Sequence, residues 1–237
     1  MSLRVEVVIP ALNEVAAIGD VVRAVPRPPV CRVVVADNGS TDGTGEAARD
    51  AGAEVIREPR RGYGSACLAA LAALSADTEV VVFMDADGSD EPGMIPSLIE
   101  PITAGRADLV IGSRVLGEAE PGALSMPQRV GNRIASTWLR FRFQQPATDL
   151  GPFRAIRRSS LDALGMADRD YGWTVEMQIK AAQRGLRYVE VPVPYYRRIG
   201  ESKVSGTVRG ALGATRKIVG WLAYHDLRDS YARWQRR

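Results

Sequence analysis

An α/β fold with a mostly parallel central sheet and helices on both faces is predicted by three features of the sequence. Short β-branched runs recur along the first half of the chain. Segments with helical periodicity separate them, and the runs lack the polar alternation of a half-exposed strand, so they read as strands buried on both faces. At 237 residues with 46% apolar content the chain can bury a real core, and no repeat, linker or low-complexity stretch divides it.

VEVVI (5–9) is the first strand. Asn13 is placed to cap a helix with Val15, Ile18, Val22 and Val25 on one face, ended by Pro26. RVVVAD (32–37) is a second strand, followed by a helix around 43–51 that Gly52 stops and that Ser40 or Thr41 would cap. EVI (54–56) is a third strand and GYGSACLAALAALS (62–75) an Ala/Leu-rich helix. EVVVFM (79–84), a helix over 93–103 and DLVIG (108–112) complete the regular alternation. In the second half, helical periods at 128–143 and 173–184 flank a Gly/Pro-bent strand at 149–157. The proline-rich RYVEVPVPYY (187–196) belongs at a sheet edge.

Composition narrows the function. The net charge of +3 does not point to a nucleic-acid partner, although from Arg197 onward ten Lys/Arg face three Asp/Glu. Cys31 and Cys67 have neither disulfide nor zinc spacing and read as inert core thiols. The N-terminus has no signal-peptide layout and no apolar run spans a bilayer, so a cytoplasmic protein is expected.

Ligands of open α/β sheets bind beyond the carboxyl ends of the strands. Each such end here is polar: Asn13 and Glu14, DNGSTDGT (37–44), RRGYG (60–64), DADGSDE (85–91) and GSR (112–114). Asp85, Asp87 and Ser89 fit the first positions of a calcium loop, but Asp90 stands where Gly is required and Pro96 where Glu is. A DxD at a strand end instead suits Mg²⁺ or Mn²⁺ that takes further ligands from water and substrate phosphates. Asp37 is placed to accept from a base or ribose. GYG at 62–64 matches a dinucleotide fingerprint weakly, since Cys67 occupies its third glycine position, and no P-loop is present.

PALNE (10–14), ADNGSTDGT, RRGYGSA, DADGSDEP, GSR, TDLGPFRAIRR (148–158) and RRIGESKVSG (197–206), in this order, resemble a family 2 glycosyltransferase of the Rossmann-like GT-A fold, and within it the dolichyl- or polyprenyl-phosphate sugar synthases. The resemblance implies a catalytic domain over 1–204 and a basic C-terminal helical tail over 205–237. It implies a nucleoside diphosphate sugar bound by Pro10, Ala11, Asn13, Glu14, Asp37, Gly62, Asp85 and Ala86. Asp87 would hold the metal, with Asp85 and Ser89 beside it, and Ser202 and Lys203 would close on the diphosphate. Ser89 replaces the Gln frequent in such synthases.

A sugar-hydroxyl acceptor needs a carboxylate base, for which Asp149 and Glu176 are the candidates. A phosphate acceptor needs cations instead, and Arg114, Arg129, Arg154 and Arg158 are available. The set favours a phosphate acceptor, which the resemblance implies is a polyprenyl phosphate; a soluble acceptor, a non-catalytic nucleotide-sugar binder and a nucleotidyltransferase are the alternatives. Transmembrane helices of the kind many such synthases carry do not follow, but Val208, Leu212, Thr215, Val219 and Leu222 fall on one helical face. That face would lie on the inner side of the cell membrane, on the domain or on a second copy in a homodimer.

Overall fold

The computed structural model describes residues 3–200 and position 220. Ser202, Lys203 and, position 220 aside, the 205–237 tail lie outside the described residues. Among the described residues seven strands form one sheet: β1 (Val5–Ala11), β2 (Val30–Asp37), β3 (Glu54–Arg57), β4 (Val80–Phe83), β5 (Leu109–Ser113), β6 (Arg154–Arg157) and β7 (Tyr188–Pro192). Their order is β3-β2-β1-β4-β6-β5-β7. β6 runs antiparallel between β4 and β5, pairing Phe83 with Arg154 and Val80 with Arg157, and the other pairings are parallel. β7 closes one edge, as its prolines require.

Among the described residues 3–200, seven α-helices cover the sheet: α1 (Val15–Ala24), α2 (Thr44–Asp50), α3 (Tyr63–Ala72), α4 (Ile95–Thr103), α5 (Met126–Phe143), α6 (Arg158–Leu164) and α7 (Trp173–Gln183). Alternate residues of each strand feed opposite cores, because successive side chains point to opposite faces. Val7, Ile9, Val33, Val35, Val80 and Val82 pack with Ile18 and Val22 of α1 and with Leu98 and Ile102 of α4. Val8, Val34, Val81, Phe83 and Ile111 pack with Ala66 and Ala70 of α3 and with Trp173 and Met177 of α7. Ala135 and Leu139 of α5 meet Val175 and Ile179 of α7 in a third cluster.

Several local expectations are corrected. Val15 is 43% exposed, while Ile18, Val22 and Val25 are buried. Asn13 does not cap α1; its backbone is left-handed (φ 53°) and its Oδ1 accepts from the Thr41 N–H. The N–H at the start of α1 is met from outside by the Asp42 carboxylate, which also accepts from the Thr44 N–H at the start of α2, the role expected of Ser40 or Thr41. Cys31 is exposed, whereas Cys67 is buried. α6 was not signalled, since seven residues with two buried leucines carry too little periodicity.

Candidate functional site

Because all strands but β6 are parallel, the carboxyl ends of β1, β2, β3, β4, β5 and β7 share one edge of the sheet. A cavity of about 500 Å³ opens there. Pro10, Ala11, Leu12 and Glu14 follow from β1, Asn38 from β2, Gly62, Tyr63 and Ala66 from the start of α3, and Asp85, Ala86 and Asp87 from β4. The remaining lining comes from Arg61, Asp170, Tyr171 and Arg198.

The loops are pinned to one another by backbone and amide contacts. The Asn38 side chain donates to the Glu58 and Arg60 carbonyls and accepts from the Gly62 N–H, which sets the entrance to α3. Gly62 and Gly64 are there because the 168–170 backbone lies against them. A Cβ on Gly62 would stand 2.1 Å from the Arg169 carbonyl oxygen, and one on Gly64 2.0 Å from that of Asp168. Gly64 and Ser65 donate their N–H groups to the Asp170 and Arg169 carbonyls, which delivers Asp170 and Tyr171 to the cavity.

The acidic cluster is crowded. Asp85 accepts from the Tyr63 hydroxyl at 3.1 Å and donates its N–H to Asp90 Oδ2, leaving Asp90 Oδ1 buried with no hydrogen-bond partner. Burial, and then the neighbouring Asp87 charge, push the Asp85 carboxyl up to about 7; burial and Asp85 raise Asp90 as well. Asp87 Oδ1 accepts from the N–H and hydroxyl of Ser89. Ser89, 1% exposed, thus orients Asp87 through its N–H and hydroxyl. Arg198 bridges across the cavity, 2.6 Å from Glu14 Oε1 and 3.3 Å from Asp87 Oδ2.

A divalent cation fits this donor set in one manner. Among the described residues no three His, Cys, Asp or Glu side chains form a metal cage by themselves. One or two carboxylates at the mouth of a cavity, with the buried Asp90 carboxyl behind them, suit an ion that completes its shell with water and phosphate oxygens.

Residues 6–165 match the sequence profile of Glycosyl transferase family 2. The chain belongs to that family. An uncharacterized glycosyltransferase of Mycobacterium tuberculosis is 43% identical over 211 residues, covering 88% of this chain and 93% of the relative. The undecaprenyl-phosphate mannosyltransferase of Micrococcus luteus is 34% identical over 224 residues, covering 88% and 90%. Among solved structures, glucosyl-3-phosphoglycerate synthase from Mycobacterium tuberculosis in complex with Mn²⁺, UDP-glucose and phosphoglyceric acid superposes with a TM-score of 0.76 at 24% identity, covering 93% of this chain and 80% of the other. That likeness establishes the GT-A fold.

Within this family 2 glycosyltransferase, the expected acceptor residues separate. Arg114 follows β5 and grips Asp149 through its backbone N–H, Nε and Nη2 at 2.7–2.8 Å, with the guanidinium 4.9 Å from the Tyr195 ring centre. Asp149 is fully buried; burial alone would raise its carboxyl, but Arg114 outweighs it and holds it below the usual range. Glu176 is also fully buried and accepts from the Ala167 and Asp168 N–H groups while pairing with Lys180. Both carboxylates are committed to the protein.

Arg154, expected to meet an acceptor phosphate, is 0% exposed and donates to the Leu150, Gly151 and Thr174 carbonyls. It props the 150–151 turn. Arg158 lies at the opposite edge of the sheet, since β6 runs antiparallel, and pairs with Asp162. Arg129 is exposed on α5. Asp37 and Asn13 are not among the residues lining the cavity; Asp37 Oδ1 accepts from the Ser40 N–H at 2.7 Å, and Asn13 joins the 13 and 40–41 loops.

Arg198, Tyr63, Asn38, Asp170 and Tyr171 were missed as lining residues. Asn38, Tyr63 and Arg198 stand inside ADNGSTDGT, RRGYGSA and RRIGESKVSG, so the sequence carries a signal for them. Asp170 and Tyr171 carry no local signal.

Proposed function

We propose that this glycosyltransferase moves a hexose from a UDP-glucose or GDP-mannose type donor to a polyprenyl phosphate, with inversion and with Mg²⁺ or Mn²⁺, at a cytoplasmic membrane face. The observation that carries the acceptor class is the commitment of Asp149 and Glu176. A sugar hydroxyl must lose its proton to a base, and both candidates are fully buried and held by the protein, Asp149 by Arg114 and Glu176 by Lys180 and the Ala167 and Asp168 N–H groups. A phosphate monoester is already anionic near neutral pH and needs none. The name of the Micrococcus luteus relative agrees with this reading.

The donor would lie along the carboxyl edge, its nucleoside toward Pro10, Ala11, Leu12 and Asn38 and its diphosphate toward Asp85, Asp87 and Arg198. Asp87, oriented by Ser89, would hold the cation, with Asp85 beside it. When bound, that ion neutralises the leaving diphosphate as a Lewis acid. Arg198 exchanges part of its grip on Asp87 for a phosphate oxygen, so the charge of the arriving donor is met by a group already in place. An acceptor phosphate oxygen attacks the anomeric carbon from the face opposite the diphosphate. A new anomeric C–O bond forms as the old one breaks, and its electron pair leaves with the nucleoside diphosphate.

The test incubates the full chain with undecaprenyl phosphate, Mn²⁺ and labelled UDP-glucose or GDP-mannose, following label into the lipid phase. Transfer from one donor, abolished in Asp87→Ala at unchanged melting temperature, is the expected result. Transfer only to a soluble hydroxyl acceptor, or near-normal transfer by Asp87→Ala, would overturn the reading.

A further inference from the structure

α5 is turned inside out relative to an ordinary surface helix. Its inner face, Ala135, Ser136 and Leu139, is buried as expected. Its outer face carries Met126, Val130, Ile134 and Phe141, exposed by 70%, 51%, 54% and 85%. At 3.6 residues per turn these four fall within an arc of about 80°. The exposed Arg129, Arg133 and Arg140 fall within an adjoining arc of about 40°. The helix has no Asp or Glu anywhere along its 18 residues.

We propose that the outer face of α5 is a docking surface for an anionic lipid bilayer. Four large apolar side chains at this exposure are costly in water and are what an interfacial helix inserts among acyl chains, while a flanking basic row meets lipid phosphates. A second copy of the chain fits the same face poorly. An antiparallel two-fold contact through α5 would bring its arginine rows together with no carboxylate on either helix to receive them.

The placement bears on the acceptor, and this part of the argument rests on the polyprenyl phosphate reading above. Asn132, on the inner side of α5, donates to the Thr148 carbonyl at 3.1 Å and accepts from the Leu150 N–H at 2.8 Å. It therefore brackets Asp149, whose partner Arg114 stands at the carboxyl end of β5. A helix lying on the bilayer would hold that end of the sheet at headgroup depth, where the phosphate of a membrane-held acceptor is found.

Flotation of the full chain with vesicles tests this. Binding is expected to vesicles of phosphatidylcholine and phosphatidylglycerol in equal parts and not to phosphatidylcholine alone, and salt should weaken it. Ile134→Ser/Phe141→Ser and Arg133→Glu/Arg140→Glu should each reduce binding roughly tenfold or more, with melting temperature and calorimetric nucleotide binding unchanged. The basic tail is present in every variant, so undiminished binding by both pairs would place attachment elsewhere and overturn the proposal. So would absence of binding by the unaltered chain, or a solution dimer that Phe141→Ser dissociates. Intact vesicle binding with no transfer to any polyprenyl phosphate would instead strike the acceptor reading alone.

Discussion

Asp149 and Arg114 show how one pair decides between two chemistries. Removing one partner of a buried ion pair strands the other charge, so Asp149→Asn should cost about 3 kcal/mol or more at pH 7 by denaturant unfolding. The sign of the pH dependence follows from the depressed Asp149 carboxyl. Its contribution is complete above the unfolded value of about 4 and is lost as pH falls through the lower folded value. The deficit of the variant should therefore shrink toward pH 3, and an equal deficit at both pH values would contradict the pairing. Arg154 makes a different prediction. Arg154→Met leaves the Leu150, Gly151 and Thr174 carbonyls short of their donor, so stability should fall by about 3 kcal/mol. Unchanged stability with a raised acceptor KM would return Arg154 to phosphate binding.

Among the elements, the contact between the start of α3 and the 168–171 segment controls the cavity wall. Gly64→Ala would drive a methyl group into the Asp168 carbonyl, and because that atom is backbone the segment must move as a whole. The expected result is a loss of about 1–3 kcal/mol in stability together with weaker donor binding by calorimetry. Native donor affinity would show that Asp170 and Tyr171 do not touch the donor. β6 makes a related point about direction. A strand of four residues spans about 13 Å, so Arg154 and Arg158 stand at opposite ends of β6, and the antiparallel direction decides that only Arg154 lies at the carboxyl edge.

For the molecule as a whole, donor binding should register as stability, since the cavity joins loops from both halves of the sheet. With Mn²⁺ and nucleotide at a hundredfold excess over Kd, about 2.7 kcal/mol is gained, which for a chain of this size is roughly 5–10 °C in Tm. In Asp87→Ala the metal-dependent part of that shift should vanish; an undiminished shift would move the cation away from the DxD.

The sequence by itself determined the strands, most helices, the edge of the sheet that carries the polar loops, and the family. These are local properties: a strand buried on both faces is a continuous apolar run, and a loop at its carboxyl end is read by its own residues. Tertiary structure decided which polar groups reach the cavity. Glu176, Asp149 and Arg154 look as available along the chain as the cavity-lining Asp87 and Glu14, but the fold buries each among backbone or side-chain partners outside the cavity lining. Arg198 and Tyr171 reach the cavity from more than a hundred residues beyond the glycine loop they face. A hydrogen-bonding group is available or spent according to what the fold places within about 3 Å of it, and that distance is not written in the spacing of residues along the chain.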